Sequence, residues 1–300
     1  MFQRTIRSSI SAAGIGVHSG KKVKINLAPA PVNTGVVFRR VDQNPVIDIP
    51  ASVDSVVDTR LSTCIGQGNV RIGMVEHLLS AVAGLGIDNL YIEVADDELP
   101  IMDGSSSPYI FLLQSSGIVN QTQAKKPFMV IDREVVVGDS KRYCSISPHN
   151  GFRVSFSIDY DHPNFNEENQ QAVFDFSTAT YLTALCRART FGFIKDREIY
   201  KAQNLALGSS MENAIWLGDD GILNERGLRY HDEFVRHKIL DAIGDLYLLK
   251  YPIIGHFIGH KSGHTLNNQL LRAIISDPKN YHIAYDLDLA LYEEPTCEAA

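Results

Sequence analysis

The stretch DEFVRHKILDAIGDLYLL, residues 232–249, is apolar on nearly every side when it is wound as a helix. One apolar stripe recurs at helical spacing through Val235, Ile239, Ala242, Leu246 and Leu249. Further apolar residues occupy the remaining faces, and a helix that is apolar all round is buried. We therefore expect this helix to lie in the core of a globular chain.

The same helix carries an imidazole and two carboxylates on one stripe. His237, Asp241 and Asp245 follow each other at steps of four residues, so they share one face. A buried carboxylate has to be paired or bound to a metal, since an isolated buried charge is very costly. His-x-x-x-Asp suits two ligands of one Zn²⁺; the alternative is a hydrogen-bonded His–Asp pair in the core.

A second helical segment repeats this pattern in the first half of the chain. VEHLLSAVAG, from Val75, aligns without a gap with VRHKILDAIG, from Val235. A chance match between two helices is the alternative to a duplicated α+β unit. A chain of 300 residues suits two domains. We predict an α+β fold of two similar domains, each a sheet packed on helices, at residues 1–125 and 126–300.

The repeat places a histidine at the same point of both helices. If the halves face each other, His77, His237 and Asp241 meet at one ion. Three protein ligands leave a fourth position open, which is the arrangement of catalytic zinc sites. Taken alone, Glu76 and His77 are more typical of a pair on a helix surface, and no His-Glu-x-x-His motif is present.

Alternating and β-branched segments around these helices predict strands. A further helix is predicted near 108–114, and the polar run NQTQAKK, residues 120–126, is interpreted as a linker. The predicted strands lie in residues 4–17, 22–27, 35–39, 89–94, 128–137, 143–147, 152–160 and 253–258.

Three histidines follow each other at steps of four in GHFIGHKSGH, residues 255–264. The glycines between them favour a strand and turn over a helix, so His256 and His260 are expected in a surface or packing role. His264 stands at the entrance of a helix that begins near Thr265. This place suits a functional acid better than a metal ligand.

Composition excludes several classes of protein. Lys and Arg total 28 against 35 Asp and Glu, a net charge of −7, whereas nucleic-acid binding needs a basic face. An anionic partner would have to meet a local basic cluster. No signal peptide and no stretch of about 20 apolar residues is present, so a cytoplasmic chain is expected. The four cysteines form no Cys-x-x-Cys pair and are interpreted as buried or stray thiols: Cys64, Cys144, Cys186 and Cys297.

These segments, together with TIRSSISAAGIGVHSG, PIMDGSSSP, RARTFGF and KSGHTLNN, resemble the zinc-dependent UDP-3-O-acyl-N-acetylglucosamine deacetylases of lipid A biosynthesis. The resemblance runs to about residue 285. It implies two α+β domains, each with a small insert, and an active site between them. The insert of the second domain would contribute to a passage for the acyl chain. The implied cofactor is Zn²⁺, the implied substrate is the UDP-acyl-sugar, and a monomer is expected.

The resemblance also implies roles for individual residues. The zinc ligands would be His77, His237 and Asp241, and a zinc-activated water would be the nucleophile. Glu76 would act as general base, and His264, oriented by Asp245, as general acid. Thr190 would donate a hydrogen bond to the oxyanion.

For the substrate, the resemblance implies that Arg142, Lys238 and Lys261 contact the diphosphate or sugar. Tyr160 would stack on uracil, and the remaining contacts fall to Leu61, Ser62 and Phe191. Residues 194–216 would line the acyl passage. Two of these regions depart from some relatives. Ser62 stands where some relatives have a cysteine. Arg197 stands where some have an aliphatic residue that lines the acyl passage, and the apolar stem of the arginine would cover the acyl chain instead.

Two other functions remain open at this point. One is a zinc amidohydrolase acting on peptides or other amino sugars, which would not depend on UDP. The other is a structural zinc site with a fourth protein ligand, for which His264 or a nearby histidine would serve. The tail YEEPTCEAA, residues 292–300, is expected to be disordered, and no regulatory protease is inferred from it.

Overall fold

The computed structural model describes residues 1–287, so the expectation for the tail 292–300 and for Cys297 lies outside the described residues. Within residues 1–287 the α-helices are α1 (Glu76–Leu85), α2 (Ser107–Ser115), α3 (Thr178–Ala184), α4 (Arg197–Ala202), α5 (Glu233–Leu246) and α6 (His264–Ser276). None of them is long and apolar enough to span a bilayer.

Strands make up the rest of the regular structure. Those of the first half are β1 (Phe2–Ile6), β2 (Ile10–Ile15), β3 (Lys22–Pro29), β4 (Val36–Arg40), β5 (Ile47–Pro50), β6 (Val56–Asp58), β7 (Cys64–Gln67), β8 (Val70–Ile72) and β9 (Leu90–Val94). Then follow β10 (Ile118–Lys125), β11 (Phe128–Ile131), β12 (Val135–Gly138), β13 (Tyr143–Ser147), β14 (Phe152–Ser157), β15 (Gln171–Asp175), β16 (Phe191–Phe193), β17 (Ile215–Leu217), β18 (Ile253–His260) and β19 (Tyr281–Ala284). The predicted α+β class is confirmed.

The two main sheets share a local arrangement. In the sheet β2-β3-β9-β4-β5, strand β9 follows helix α1 and pairs with antiparallel β3 and parallel β4. In the sheet built on β12-β13-β18-β11-β19, strand β18 follows helix α5 and pairs with antiparallel β13 and parallel β14. This correspondence agrees with the repeat found in the sequence. The boundary between residues 125 and 126 stays a prediction.

Helices α1 and α5 pack directly against each other at the centre of the molecule. The approach is so close that a Cβ on Gly244 would lie 2.0 Å from the carbonyl oxygen of Glu76. Only glycine fits there, because the backbone of α1 cannot move far enough in a packed core to make room for a Cβ. The absence of a side chain at Gly244 thus brings the start of α1 onto the face of α5.

The predicted linker at residues 120–126 is wrong. Residues 118–125 are strand β10, which pairs antiparallel with β1. The polar side chains that suggested a loop have partners in the first half: Gln121 Nε2 donates to the Ala30 carbonyl over 2.9 Å, and Asn120 Oδ1 accepts from Arg4. Lys126 is fully buried and donates to the Gly86 carbonyl over 2.8 Å. Hydrogen bonds to distant residues offset the cost of burying these groups.

The strand predicted at residues 253–258 is confirmed as β18, which runs on to His260. His256 and His260 lie on one face of β18 and bond to the hydroxyls of Ser155 and Ser157, each over 2.8 Å. The described cysteines are free thiols, with Cys144 and Cys186 buried and Cys64 partly so. Burial raises the pKa of each of the three thiols to about 11, so they are poor nucleophiles at neutral pH.

Candidate active site

Three metal-ligating side chains converge where α1 meets α5. His77, His237 and Asp241 are all buried, and their ligand atoms lie within 4.8 Å of one another. The two histidine Nε2 atoms are 3.1 Å apart, and His77 Nε2 is 3.4 Å from Asp241 Oδ1. The alternative of a surface pair at Glu76 and His77 is wrong, since both are 2 % exposed.

These distances fit a tetrahedral metal ion. With zinc–ligand bonds of about 2.0–2.1 Å, two ligand atoms at a tetrahedral site lie about 3.3 Å apart. Asp241 Oδ1 is buried and has no hydrogen-bond partner among the described residues. A cation between the three side chains would satisfy this oxygen. The donor set of two histidines and one carboxylate also suits zinc.

The protonation states agree with metal ligation. Burial, reinforced by the positive charge of Lys238, lowers the pKa of His237 to about 3. Burial opposes ionisation of Asp241, yet His237 and Lys238 hold the pKa of its carboxyl well below the usual range. Neutral imidazole and ionised carboxylate are the forms that bind metals.

Glu76 and His264 flank the ligand cluster, with His264 Nε2 3.8 Å from Glu76 Oε1. Burial raises the pKa of the Glu76 carboxyl. Burial alone would lower the pKa of His264, but Asp245 accepts a 2.9 Å hydrogen bond from its Nδ1 and outweighs this effect. The pKa of His264 is raised to about 9. A carboxyl and an imidazole so tuned are suited to exchange protons near neutral pH.

Two residues that sequence reasoning missed hold these groups in place. Thr63 donates from its hydroxyl to Asp245 Oδ1 over 2.5 Å and from its backbone N–H to Glu76 Oε2 over 3.1 Å. Asn267 Nδ2 donates to Asp245 Oδ2 over 2.8 Å. Asn267 could have been found, because it stands one helical turn after His264. Thr63 carried no sequence signal, since its partners are distant in the chain.

A cavity of about 340 Å³ opens above the ligand cluster. Five residues predicted to contact substrate or oxyanion lie in its wall: Leu61, Tyr160, Thr190, Phe191 and Lys238. The ring of Tyr160 lies 5.7 Å from that of Phe191 and 5.5 Å from that of Phe193, between ring centroids. The cavity thus combines a buried polar floor with an aromatic wall, as small-molecule sites commonly do.

Known proteins are similar to this chain over most of its length. Residues 3–276 match the model of the family described as UDP-3-O-acyl N-acetylglycosamine deacetylase, LpxC. The chain belongs to this family. The relative from Alcanivorax borkumensis is 54% identical over 94% of this chain and 92% of its own length. The relatives from Coxiella burnetii, at 53% over 94% and 92%, and Thioalkalivibrio sulfidiphilus, at 56% over 91% and 90%, bear the same name, UDP-3-O-acyl-N-acetylglucosamine deacetylase.

In this LpxC family member the expected basic cluster is only partly assembled. Lys238 lines the cavity, with its Nζ 2.6 Å from Asp241 Oδ2. Lys261 is outside the lining and forms an ion pair with Asp159. Arg142 is exposed in the turn between β12 and β13, outside the cavity wall. The roles of Lys261 and Arg142 therefore stay predictions.

Ser62 and Arg197, the two departures noted in the sequence, lie beside the cavity. Ser62 is buried and lines a neighbouring cavity of about 270 Å³ with Asp58 and Cys64. The guanidinium carbon of Arg197 lies 5.8 Å from the ring centroid of Trp216, which is part of the main cavity wall. Both residues therefore lie next to the main cavity and not in its wall.

Proposed function

We propose that this protein is a zinc metalloamidase that removes the N-acetyl group from UDP-3-O-acyl-N-acetylglucosamine and releases acetate in lipid A biosynthesis. The observation that carries the proposal is the convergence of His77, His237 and Asp241 beside Glu76 and His264 at the floor of one cavity. The family membership and the names of the relatives support the substrate.

When bound by these three side chains, zinc supplies a Lewis acid that polarises the acetyl carbonyl and lowers the pKa of a water. Glu76 accepts the proton of the attacking water. As the new C–O bond forms and the C–N bond breaks, His264 delivers its proton to the leaving amine. The raised pKa of His264 keeps it protonated at neutral pH, and Asp245 fixes which nitrogen faces the reaction.

Thr190 stabilises the negative charge that develops on the carbonyl oxygen. Its backbone is fixed on both sides, because its N–H donates to the Gly104 carbonyl and its carbonyl accepts from Ile215 N–H, each over 2.8 Å. A donor held in place before the reaction costs no reorganisation in the transition state. Because Thr190 also lines the cavity, its hydroxyl is the group that we assign as oxyanion donor.

The remaining residues recognise the substrate. Tyr160 stacks on uracil, and Leu61 and Phe191 in the cavity wall, with Ser62 beside it, supply further substrate contacts. The side chains of Arg142, Lys238 and Lys261 supply positive charge for the diphosphate, which an overall charge of −7 would otherwise repel. The monomeric state and the cytoplasmic location stay predictions from the sequence.

Metal analysis paired with an acetate-release assay tests the proposal. The wild-type protein is expected to bind one zinc per chain and to release acetate only from the UDP-acyl-sugar. His237→Ala should lose both properties. His260→Ala is the matched control, because His260 lies on β18 outside the cavity wall, and it should keep both.

Each alternative function gives its own result. Stoichiometric zinc without acetate release would show a structural metal site. Acetate release from simple N-acetyl sugars at the same rate as from the UDP-acyl-sugar would show a different zinc amidohydrolase. Either outcome would refute the proposed deacetylase.

A further inference from the structure

One part of the cavity wall is apolar, in contrast to the metal side. It is formed by α4, β17, the segment before β17 and two residues of the first half, namely Val17, Ile101, Tyr200, Ala206, Ala214 and Trp216. The segment is fixed across the two halves, because Leu207 N–H donates to the His18 carbonyl and Gly208 N–H to that of Val17. This apolar wall is the surface that can bury a hydrocarbon chain.

Trp216 is the largest side chain in the apolar wall, and it is held rigidly. Its backbone N–H donates to Asn224 Oδ1 over 2.8 Å, and its carbonyl accepts from Leu223 N–H over 2.9 Å. The indole lies against the backbone of Gly192, where an added Cβ would be 3.3 Å from a ring carbon. The indole therefore has no room to swing towards β16.

The positively charged guanidinium group of Arg197 lies next to this indole. The guanidinium carbon of Arg197 lies 5.8 Å from the ring centroid, within the range of a cation–π contact. Arg197 Nε is buried and has no hydrogen-bond partner among the described residues. Arg197 does not line the cavity itself, so a hydrocarbon chain that displaced the indole would approach this charged group and remove it further from water, which is unfavourable.

We propose that Trp216 and Arg197 form the end of the acyl site and set the longest 3-O-acyl chain that the enzyme processes efficiently. This inference rests on the proposed function, which supplies the acylated substrate. Up to the indole, each buried methylene raises kcat/KM about fourfold, the fold-change that corresponds to its transfer from water. Beyond the indole the gain stops.

The test is a series of substrates whose acyl chain lengthens by two carbons at a time. For the wild type, kcat/KM is expected to rise steeply to a limiting length and then to level off or fall. Trp216→Val should move the limit to longer chains. Gly192→Val should move it to shorter chains, because the added side chain displaces the indole into the cavity. Arg197→Met should raise kcat/KM selectively for chains beyond the wild-type limit.

Phe111→Ala is the control, since Phe111 is 69 % exposed on α2 and should leave the limit unchanged. Active Trp216→Val and Gly192→Val variants with the wild-type limit would overturn the inference. If Trp216→Val does not fold, the acyl-length profiles of Gly192→Val and Arg197→Met test the inference instead. Wild-type profiles in both variants would overturn it. A wild-type protein that deacetylates no member of the series would instead refute the proposed function.

Discussion

Replacing Asp245 with asparagine tests how the fold sets the acidity of His264. Asp245 accepts from His264 Nδ1 and Asn267 Nδ2 through one oxygen and from the Thr63 hydroxyl through the other. Asparagine keeps the shape, its oxygen can still accept from His264, and its amide can donate to Thr63 Oγ. The substitution therefore removes the negative charge and leaves the local packing in place.

The magnitude follows from the pKa of His264. Asp245 is the largest influence that raises this pKa to about 9, while burial acts to lower it from 6.5. Without the Asp245 carboxylate the pKa should fall towards its ordinary value of 6.5, with Glu76 and Asp241 still acting to raise it. A general acid works in its protonated form, so activity is present below its pKa and lost as the pH rises through it. If the pKa falls fully to 6.5, the protonated fraction at pH 8 drops from about 0.9 to about 0.03, a loss of about 30-fold, whereas at pH 6 the loss is less than about twofold.

The assay is kcat/KM for acetate release across the pH range, with zinc content measured on the same samples. The alkaline limb of the profile should move to lower pH by up to about 2.5 units, the difference between about 9 and the ordinary value of 6.5, while the zinc content stays the same. Asp232→Asn is the matched control: Asp232 is a buried carboxylate at the start of the same helix, and it pairs with Arg236. An alkaline limb that stays at the wild-type pH in Asp245→Asn would refute the assignment of His264 as the acid.

Three further outcomes are expected. Thr190→Ala should lower kcat by about 10²–10³ with little change in KM, because the lost hydrogen bond forms to the transition state; a rise in KM at constant kcat would contradict this. Gly244→Ala should lower the free energy of unfolding in urea by about 1–3 kcal/mol, since its Cβ would lie 2.0 Å from the Glu76 carbonyl oxygen. Gly221→Ala, where the nearest atom is 3.9 Å away, should be neutral. A substrate without the acyl chain should bind at least about 100-fold more weakly, because several buried methylenes are lost; equal affinity would contradict an acyl site.

The metal ligands could be predicted because they depend on local geometry. A helix places residues four apart on one face, so His237, Asp241 and Asp245 were grouped before any tertiary contact was known. The repeat then located His77 in α1. Hydrophobic periodicity identified both buried helices for the same reason, since burial of an apolar face leaves its period in the sequence.

Strand β10 shows where local signals fail. Its polar composition is typical of a loop, yet it pairs with β1, and its side chains bond to Arg4 and Ala30. The partners lie about 90 or more residues away along the chain. Composition alone cannot reveal that such groups are satisfied when they are buried.

The α+β class, the two buried helices and the set of candidate ligands could be read from the sequence, because these depend on spacing within single elements. That two histidines 160 residues apart meet at 3.1 Å is visible only in the folded molecule. The same holds for the hydrogen bonds of Thr63 to both Glu76 and Asp245, and for the packing of Trp216 on Gly192. These contacts depend on how closely two separate elements approach, and that distance is set by packing across the whole core.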